Sequence, residues 1–211
     1  MTREEAIAHA ALIDGATLLP VNADLENGFG NDPEAAAETI RQAIEAGIAG
    51  GSIEDFGAGE LYDFELAVER IGAAAEVNGQ SDSPLVLTAR AENFLRGNPD
   101  LGDTIARLQA YQGAGADVLY APGLTNLDDI QTLIAAVDRP VNVLVMPGGP
   151  TIPELFEVGA IRISTGSAIS MAAQSAIVAA AQELLETGTH AFWLNALPNA
   201  GVVNEALKSD S

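Results

Sequence analysis

The sequence contains no cysteine and little positive charge. Without cysteine, the chain can form no disulfide, no thiolate metal site and no cysteine nucleophile. Its 211 residues include 9 basic and 30 acidic side chains, which gives a formal net charge of −21. Nucleic acids and anionic membrane surfaces both attract basic patches, so this charge argues against either of them as a partner.

Lysine is nearly absent. Lys208 is the only lysine, and arginines supply the other eight of the nine cations. A strongly acidic, lysine-poor and alanine-rich composition is typical of proteins from a high-salt cytoplasm, where salt screens the repulsion between like charges. An ordinary acidic bacterial enzyme is the alternative interpretation.

We also predict no signal peptide, because acidic residues occur within the first five positions and no apolar segment follows them. The longest alanine-rich run covers residues 168–185 and is interrupted by Ser170, Gln174, Ser175 and Gln182. We expect this run to be too polar and too short to cross a bilayer. A soluble, cytoplasmic protein is therefore predicted.

What the sequence does contain is a regular alternation of short apolar strands and helix-period segments. Hydrophobic residues make up 48% of the chain, which is enough for one sizeable domain with its own core. Strands are predicted near residues 18, 49, 85, 117, 141 and 160, with a helical pattern between successive strands. Strand–helix units of roughly 20 to 35 residues favour an α/β fold of the (β/α)₈ TIM-barrel type, of which about six units are visible. A doubly wound sheet is the alternative, but it usually has a glycine-rich loop after its first strand, and the segment NGFG (27–30) is not one.

We expect residues 1–211 to form a single, incomplete barrel domain. A long helix is predicted at about residues 168–186. The tail from His190 to Ser211 has a less regular pattern, and we expect it to pack one short piece and then fray.

Polar side chains follow the first three predicted strands, at the ends where parallel barrels place their chemistry. These residues are Asp24, Glu26, Glu54, Arg90, Glu92 and Asn93. An isolated Asp-x-Glu in an acidic protein is more often solvated surface. Acids at successive strand ends, together with an arginine, favour a site instead.

Carboxylates in this number suit Mg²⁺ or Mn²⁺. Asp24 and Glu26 lie two residues apart, so both would point to one side of an extended strand, and Glu54 could reach the same ion. Arg90 is suited to bind a substrate carboxylate through two parallel hydrogen bonds. Arg90 and Glu92 are the candidate catalytic residues, although Glu92 could serve only to orient Arg90.

Two further residues are candidates for substrate binding. Asn93 follows Arg90 and Glu92 at the end of the third strand. Gly28 would let the loop after the first strand turn tightly beside the ligand.

Five segments together resemble the isocitrate lyase/phosphoenolpyruvate mutase family. They are NADLENGFG, AGGSIEDF, LTARAENFL, GADVLYAPGL and RISTGSA, and they occur in the family's order and spacing. The resemblance is closest to the short members described as 2-methylisocitrate lyase or phosphonomutase-like. It implies a (β/α)₈ barrel, usually a tetramer with swapped helices, and a Mg²⁺-dependent reaction on a 2-oxo acid unit.

The resemblance also implies roles for individual residues. Asp24 would bind Mg²⁺ directly, while Glu26 and Glu54 would hold metal-bound waters. Arg90 would bind the substrate carboxylate.

The chain departs from the family pattern in two places. Isocitrate and methylisocitrate lyases have a mobile Lys-Lys/Arg-Cys-Gly-His loop whose cysteine donates a proton, but residues 56–62 read FGAGELY here. The family also has two βα units before the segment that resembles Met1–Ala6. A start codon assigned too far downstream is the favoured explanation, and a degenerate copy is the alternative.

The leading hypothesis is a Mg²⁺-dependent lyase or decarboxylase of small 2-oxo or 2-hydroxy carboxylic acids that acts through a pyruvate enolate. A phosphoenolpyruvate or phosphonopyruvate mutase or hydrolase is the alternative enzyme. An inactive, truncated family member with a binding or assembly role is the non-enzyme alternative.

Overall fold

The computed structural model describes residues 1–208, along which helices and strands alternate. The helices are Arg3–Asp14 (α1), Pro33–Glu45 (α2), Phe64–Gly79 (α3), Leu101–Ala114 (α4), Leu127–Ala135 (α5), Ile152–Glu157 (α6), Ala168–Glu186 (α7), Phe192–Ala196 (α8) and Ala200–Ala206 (α9), with a 3₁₀ turn at Leu197–Asn199. The strands are Asn22–Asp24 (β1), Gly50–Glu54 (β2), Phe56–Gly57 (β3), Glu60–Leu61 (β4), Val86–Arg90 (β5), Val118–Tyr120 (β6), Val141–Leu144 (β7) and Arg162–Ser164 (β8).

One six-stranded sheet organises the fold, in the order β1, β2, β5, β6, β7, β8. All neighbouring strands in it are parallel, and a helix lies between each pair along the chain. This is the connectivity of a (β/α)₈ barrel, so the predicted α/β fold class with about six units is confirmed. The carboxyl ends of all six strands therefore lie along the same edge.

The first strand lies later in the chain than the sequence pattern predicts. The apolar pair Leu18 and Leu19 is exposed, and β1 begins only at Asn22. Pro20 has no backbone N–H to contribute to a ladder. The prediction of a strand near Leu18 is therefore wrong in position, although its carboxyl end still falls at Asp24.

Apolar side chains fill the space between the sheet and its helices. Leu87 and Ala89 of β5 are fully buried in this core, together with Ile40 from α2 and Leu108 from α4. Successive residues of a strand point to opposite faces. Arg90 therefore projects to the face of the sheet away from the core, where the polar side chains lie.

A short hairpin follows β2. Strands β3 and β4 pair antiparallel, and Ala58 and Gly59 between them have φ values of 54° and 92°. Two successive residues with positive φ form the tight turn that suits a two-residue hairpin. This hairpin stands in the segment where isocitrate lyases are expected to have their catalytic loop.

The chain divides into two compact units, Met1–Ser164 and Thr165–Ser211, the second described as far as residue 208. The prediction of a single domain stays a prediction, and the last three residues of its expected tail lie outside the described residues. Within the second unit, the 19-residue helix α7 has no buried residue. By length and composition alone this helix could cross a membrane, so the expectation that it is too short and too polar is wrong. One such helix is weak support for a span, because helices of soluble proteins meet the same criteria.

Candidate active site

Arg90, the last residue of β5, is surrounded by carboxylates from three strand ends. Its Nη1 donates to Asp24 Oδ2 at 2.8 Å, and its Nη2 lies 3.0 Å from Glu54 Oε2. Its Nε and Nη2 both reach Glu92 Oε1, at 2.9 and 2.8 Å. The register explains this convergence, because Glu54 and Arg90 are directly paired across β2 and β5. The aromatic ring of Tyr120, the residue paired with Arg90 on β6, lies 5.5 Å from the guanidinium carbon.

A second arginine, Arg96, contacts the same acids. Its Nε lies 3.1 Å from Glu92 Oε2 and its Nη2 lies 3.3 Å from Glu54 Oε1. Its guanidinium also stacks 4.0 Å from the ring centre of Phe56 in the hairpin. Each of Glu54 and Glu92 therefore bridges the two guanidiniums.

Burial shapes the electrostatics of this cluster. It raises the pKa of Glu54 to about 7, against the opposing effect of Arg90, and Glu92 adds to the increase. Burial also raises the pKa of Glu92, again against Arg90. Burial alone would lower the pKa of Arg90, but Asp24, Glu92 and Glu54 together raise it. Arg90 thus stays charged, and the cluster approaches electrical balance near neutral pH because Glu54 titrates there.

The predicted pair Asp24 and Glu26 is only partly as expected. Asp24 has 63% of its side chain exposed while it contacts Arg90, and its Oδ1 accepts a hydrogen bond from the Glu26 N–H at 3.1 Å. The premise that both residues share one extended strand is wrong, because β1 ends at Asp24 and Glu26 has a φ of 51°. Glu26 nevertheless stays at the site, since its carbonyl accepts from the Glu54 N–H at 2.9 Å.

Gly28 lies against helix α2. A Cβ at this position would lie 2.9 Å from Ala36 Cα, and its carbonyl accepts hydrogen bonds from Arg3 and Thr39. These contacts serve packing of the loop, and none of its hydrogen bonds among the described residues reaches Arg90. Its role in substrate binding stays a prediction.

Asn93 belongs to a second, buried network around Asp55. Asn93 Nδ2 donates to Asp103 Oδ2 at 2.7 Å, and Asp103 also accepts from Arg107 at 2.8 Å. Arg107 Nη1 and the Tyr111 hydroxyl both donate to Asp55 Oδ2, at 3.1 and 2.6 Å. The Asn93 side chain is therefore turned towards α4, although its Oδ1 has no partner among the described residues. A direct contact of Asn93 with substrate also stays a prediction.

The side chains of Asp24, Glu26 and Glu54 offer only carboxylate oxygens, which are the ligands that a hard cation such as Mg²⁺ prefers. Among residues 1–208, no group of three His, Cys, Asp or Glu side chains is arranged to hold a metal ion. Mg²⁺ needs no such cage, because it keeps several waters and commonly takes one or two carboxylates. The exposed Asp24 fits the role of a single direct ligand, and the roles of Glu26 and Glu54 in holding metal-bound waters stay predictions.

The sequence pattern does not single out Arg96 and Tyr120 as site residues. For Arg96 a signal existed, because it follows Glu92 by four residues and forms an i,i+4 ion pair with it. For Tyr120 the only signal was its place at the end of the fourth predicted strand.

Comparisons with known proteins show which family this chain resembles. Residues 1–185 match the family model described as phosphoenolpyruvate phosphomutase. The solved structure of a Burkholderia cenocepacia J2315 protein, assigned to the lyases or mutases, is 45% identical with a TM-score of 0.93, and the match covers 100% of this chain and 77% of that one. A 2,3-dimethylmalate lyase, described as a member of the PEP mutase/isocitrate lyase superfamily, is 26% identical with a TM-score of 0.81 over 99% of this chain and 79% of that one. The resemblance to that family is therefore confirmed.

The curated relatives are longer than the matched part of this chain. An uncharacterised protein of Mycobacterium tuberculosis (strain ATCC 25618 / H37Rv) is 36% identical over 148 residues, which are 70% of this chain and 54% of the relative. The chain thus spans about half the length of that relative. Other curated relatives bear the names 2-methylisocitrate lyase and oxaloacetate decarboxylase.

Proposed function

This chain belongs to the phosphoenolpyruvate phosphomutase family, and we propose that it is a Mg²⁺- or Mn²⁺-dependent lyase or decarboxylase of small 2-oxo or 2-hydroxy carboxylic acids. The reaction would break a C–C bond and leave the enolate of a pyruvate unit. The observation that carries this proposal is Arg90, a buried, fixed guanidinium at the carboxyl edge of the sheet.

Arg90 is suited to receive a substrate carboxylate on one side only. Glu54 and Glu92 are buried and hold its Nε and Nη2. Asp24 holds Nη1 but is itself mostly exposed. A carboxylate from solvent would therefore approach Arg90 at Nη1, where it shares or replaces the bond to Asp24.

A divalent cation would be held at Asp24, with Glu26 and Glu54 bonded to its water shell. Such a cation supplies Lewis-acid stabilisation of the negative charge that develops on an enolate oxygen. Arg90 adds a fixed positive charge beside the same position and needs no reorganisation during the reaction.

Proton supply separates the possible substrates. Lysine and cysteine are absent from the hairpin that follows Asp55, so it offers no counterpart to the cysteine of the expected lyase loop. Decarboxylation of an oxaloacetate-like acid leaves an enolate that water can protonate. We therefore place oxaloacetate-like acids ahead of isocitrate-like acids as substrates.

A thermal-shift titration in molar KCl tests the proposal, with Mg²⁺ and oxalate added separately and together. Oxalate mimics the pyruvate enolate, and a ligand that binds only the native state adds roughly 2.7 kcal/mol of stability at 100 times its Kd. We expect oxalate to raise the melting temperature only with Mg²⁺ present, and Arg90→Gln to abolish that increase. An oxalate effect that is absent, or that does not need the metal, contradicts the proposal and favours an inactive member with a binding or assembly role.

A phosphoenolpyruvate or phosphonopyruvate mutase or hydrolase is the second candidate, favoured by the family whose model the chain matches. Both candidates share Arg90 and the metal. Incubation with phosphonopyruvate, followed by phosphorus NMR, distinguishes them, because only a mutase or hydrolase makes or breaks a P–C bond.

We also propose that the chain forms a homo-oligomer, with a tetramer as the expected state. The support lies in the second unit, where Ile169, Ile177, Leu185 and Trp193 are exposed. Several large apolar side chains exposed in one compact unit are typical of a protein–protein interface. Light scattering coupled to gel filtration measures the mass of the assembly, and a monomer at micromolar concentration contradicts this part of the proposal.

A further inference from the structure

The loop that connects β1 to helix α2, residues 25–32, has an unfavourable backbone conformation. Glu26 and Phe29 have φ values of 51° and 58°, in the left-handed region that residues other than glycine seldom adopt. Such residues cost conformational energy and persist only where the surrounding structure holds them. The same loop contains Glu26 and directly follows Asp24, the expected metal ligand. Whatever holds the loop therefore also sets the position of these two carboxylates.

Tyr62 is bonded to side chains on both sides of the turn in this loop. Its hydroxyl accepts a hydrogen bond from Asn27 Nδ2 and donates one to Asn31 Oδ1, both at 2.7 Å. Asn27 Oδ1 in turn accepts from the Phe29 N–H at 3.0 Å, and Phe29 is one of the two residues in the left-handed region. One buried hydroxyl thus fixes the side chains before and after the strained part of the loop.

The position of Tyr62 is itself fixed by residues outside the loop. Tyr62 directly follows strand β4 of the hairpin. Its N–H donates to the Asp55 carbonyl at 2.9 Å, and its carbonyl accepts from Arg107 Nη1 at 3.0 Å. The guanidinium carbon of Arg70 lies 4.5 Å from the centre of its ring. A residue held in this way presents its hydroxyl to the loop at a constant position.

The hairpin is shaped to admit this contact. A Cβ at Gly57 in β3 would overlap the hydroxyl oxygen of Tyr62 and would lie 2.8 Å from Asn27 Nδ2. The hydrogen-bonded pair therefore occupies the space that a side chain at position 57 would take. The hairpin and the 25–32 loop are packed against each other through this one pair.

Two other side chains hold the same loop by its backbone. Arg70 donates to the carbonyls of Gly30 and Asp32, at 2.8 and 3.0 Å, and Thr39 donates to the carbonyl of Gly28 at 2.8 Å. These bonds remain when the Tyr62 hydroxyl is removed. Its loss should consequently loosen the loop without unfolding it.

We infer that Tyr62 is a positioning residue for the metal site, because its hydroxyl fixes the 25–32 loop and with it the carboxylates of Asp24 and Glu26. The link to Asp24 is direct, since its Oδ1 accepts from the Glu26 N–H at 3.1 Å. This inference rests on the proposed function, which supplies the metal. A loop that is already ordered spares the metal the cost of ordering its ligands.

The test measures metal binding and loop opening in the same set of proteins. Mn²⁺ is titrated in molar KCl without any carboxylic acid, and electron paramagnetic resonance measures the free ion. Hydrogen exchange of the Gly28 and Phe29 amides reports on the loop. The proteins are the wild type, Tyr62→Phe, Asn31→Ala and the double variant. Tyr111→Phe is the matched control, because it removes another buried hydroxyl, one that bonds to Asp55 and not to the loop.

We expect Tyr62→Phe to weaken Mn²⁺ binding roughly 3- to 10-fold, because two lost hydrogen bonds reduce the fraction of time in which the loop positions Asp24. Exchange of the Gly28 and Phe29 amides should accelerate by a similar factor. Asn31→Ala should have a smaller effect, and the double variant should bind like Tyr62→Phe, since both changes act through the same hydroxyl. Tyr111→Phe should lower stability but change the Mn²⁺ affinity by less than about 2-fold.

The outcomes separate this inference from the proposed function. If the wild type binds Mn²⁺ and Tyr62→Phe binds it equally well, Tyr62 only packs the hairpin, and the proposed function survives. An equal loss of affinity in Tyr62→Phe and Tyr111→Phe means a general effect of destabilisation and also overturns the inference. Failure of the wild type to bind Mn²⁺ overturns the proposed function and this inference together.

Discussion

The hydroxyl of Tyr111 should contribute measurably to the free energy of unfolding of the first unit. It donates to Asp55 Oδ2 at 2.6 Å, and both residues are buried. Asp55 keeps two further donors, Arg107 Nη1 at 3.1 Å and the Glu92 N–H at 2.8 Å. Through these bonds the carboxylate joins the end of β2 to helix α4 and to the residues after β5.

Tyr111→Phe removes that hydroxyl and keeps the ring, so no large cavity forms. A hydrogen bond to a charged group contributes about 1.5–3 kcal/mol. Because Asp55 retains two donors, we expect the lower half of this range, a loss of about 1.5–2 kcal/mol in the free energy of unfolding. With a slope of about 2 kcal/mol per molar urea, the unfolding midpoint should fall by about 0.75–1 M.

The loss of stability in Tyr111→Phe should depend on pH through the carboxyl group of Asp55. Burial raises the pKa of Asp55 above its usual value, and the Tyr111 hydroxyl opposes that increase. A carboxyl with a raised pKa in the folded state costs stability as the pH rises through that pKa. Removal of the hydroxyl raises the folded-state pKa further. The destabilisation by Tyr111→Phe should therefore be larger at pH 7 than at pH 4.

Urea unfolding followed by circular dichroism measures the effect, and Tyr120→Phe is the control. The Tyr120 hydroxyl lies 3.5 Å from Ser164 Oγ, a distance at which a hydrogen bond contributes little. We expect Tyr120→Phe to change stability by less than about 0.5 kcal/mol. If Tyr111→Phe behaved like Tyr120→Phe, Asp55 would not be the junction described above.

Three further predictions follow from the geometry. Arg90→Lys should abolish the Mg²⁺-dependent effect of oxalate on the melting temperature while the protein stays folded, because an ammonium cannot reproduce the bonds of a guanidinium to three carboxylates. Retention of the oxalate effect would contradict the role of Arg90. Arg70→Met should lower the free energy of unfolding by about 3 kcal/mol and accelerate amide hydrogen exchange in residues 27–32. The reason is that the buried Arg70 donates hydrogen bonds to the carbonyls of Asn27, Gly30 and Asp32. Unchanged exchange would show that the loop keeps its conformation without Arg70. The melting temperature should rise between low and molar KCl, because screening relieves the repulsion from a net charge of −21, and equal melting would contradict the halophilic hypothesis.

The convergence of Asp24, Glu54 and Arg90 was predictable from the sequence. All three residues end strands, and parallel strands with helical connections bring their carboxyl ends to one edge. This prediction needs only parallel neighbouring strands whose carboxyl ends lie near one another, and the alternation of strands and helices indicates such strands. The identity of the acids as partners of Arg90 then follows from charge.

Other features depend on backbone angles and rotamers that a strand pattern does not contain. Glu26 lies outside β1 and has a φ of 51°, so the rule that residues two apart share one face of a strand does not apply to it. Asn93 stands only three residues after Arg90 but is bonded to Asp103 on helix α4, because the chain turns sharply after β5. The exposed Leu18 and Leu19 have an apolar pattern typical of a strand, yet they pair with no neighbour in the sheet.

Asp24 connects the proposed metal site to the proposed substrate site, because it contacts Arg90 and is the expected metal ligand. Glu54 and Glu92 are buried, and each contacts both guanidiniums, while the Asp24 side chain that contacts Arg90 is mostly exposed. An incoming divalent cation would meet Asp24 first, and the positive charge it adds would weaken the hold of Asp24 on Arg90. The Nη1 edge of Arg90 would then be available to a substrate carboxylate as the metal arrives. Metal and substrate should accordingly bind with positive coupling, so each raises the affinity for the other by the same factor. Titration of oxalate at several Mg²⁺ concentrations measures that factor, and a value of one would show that Asp24 does not connect the two events.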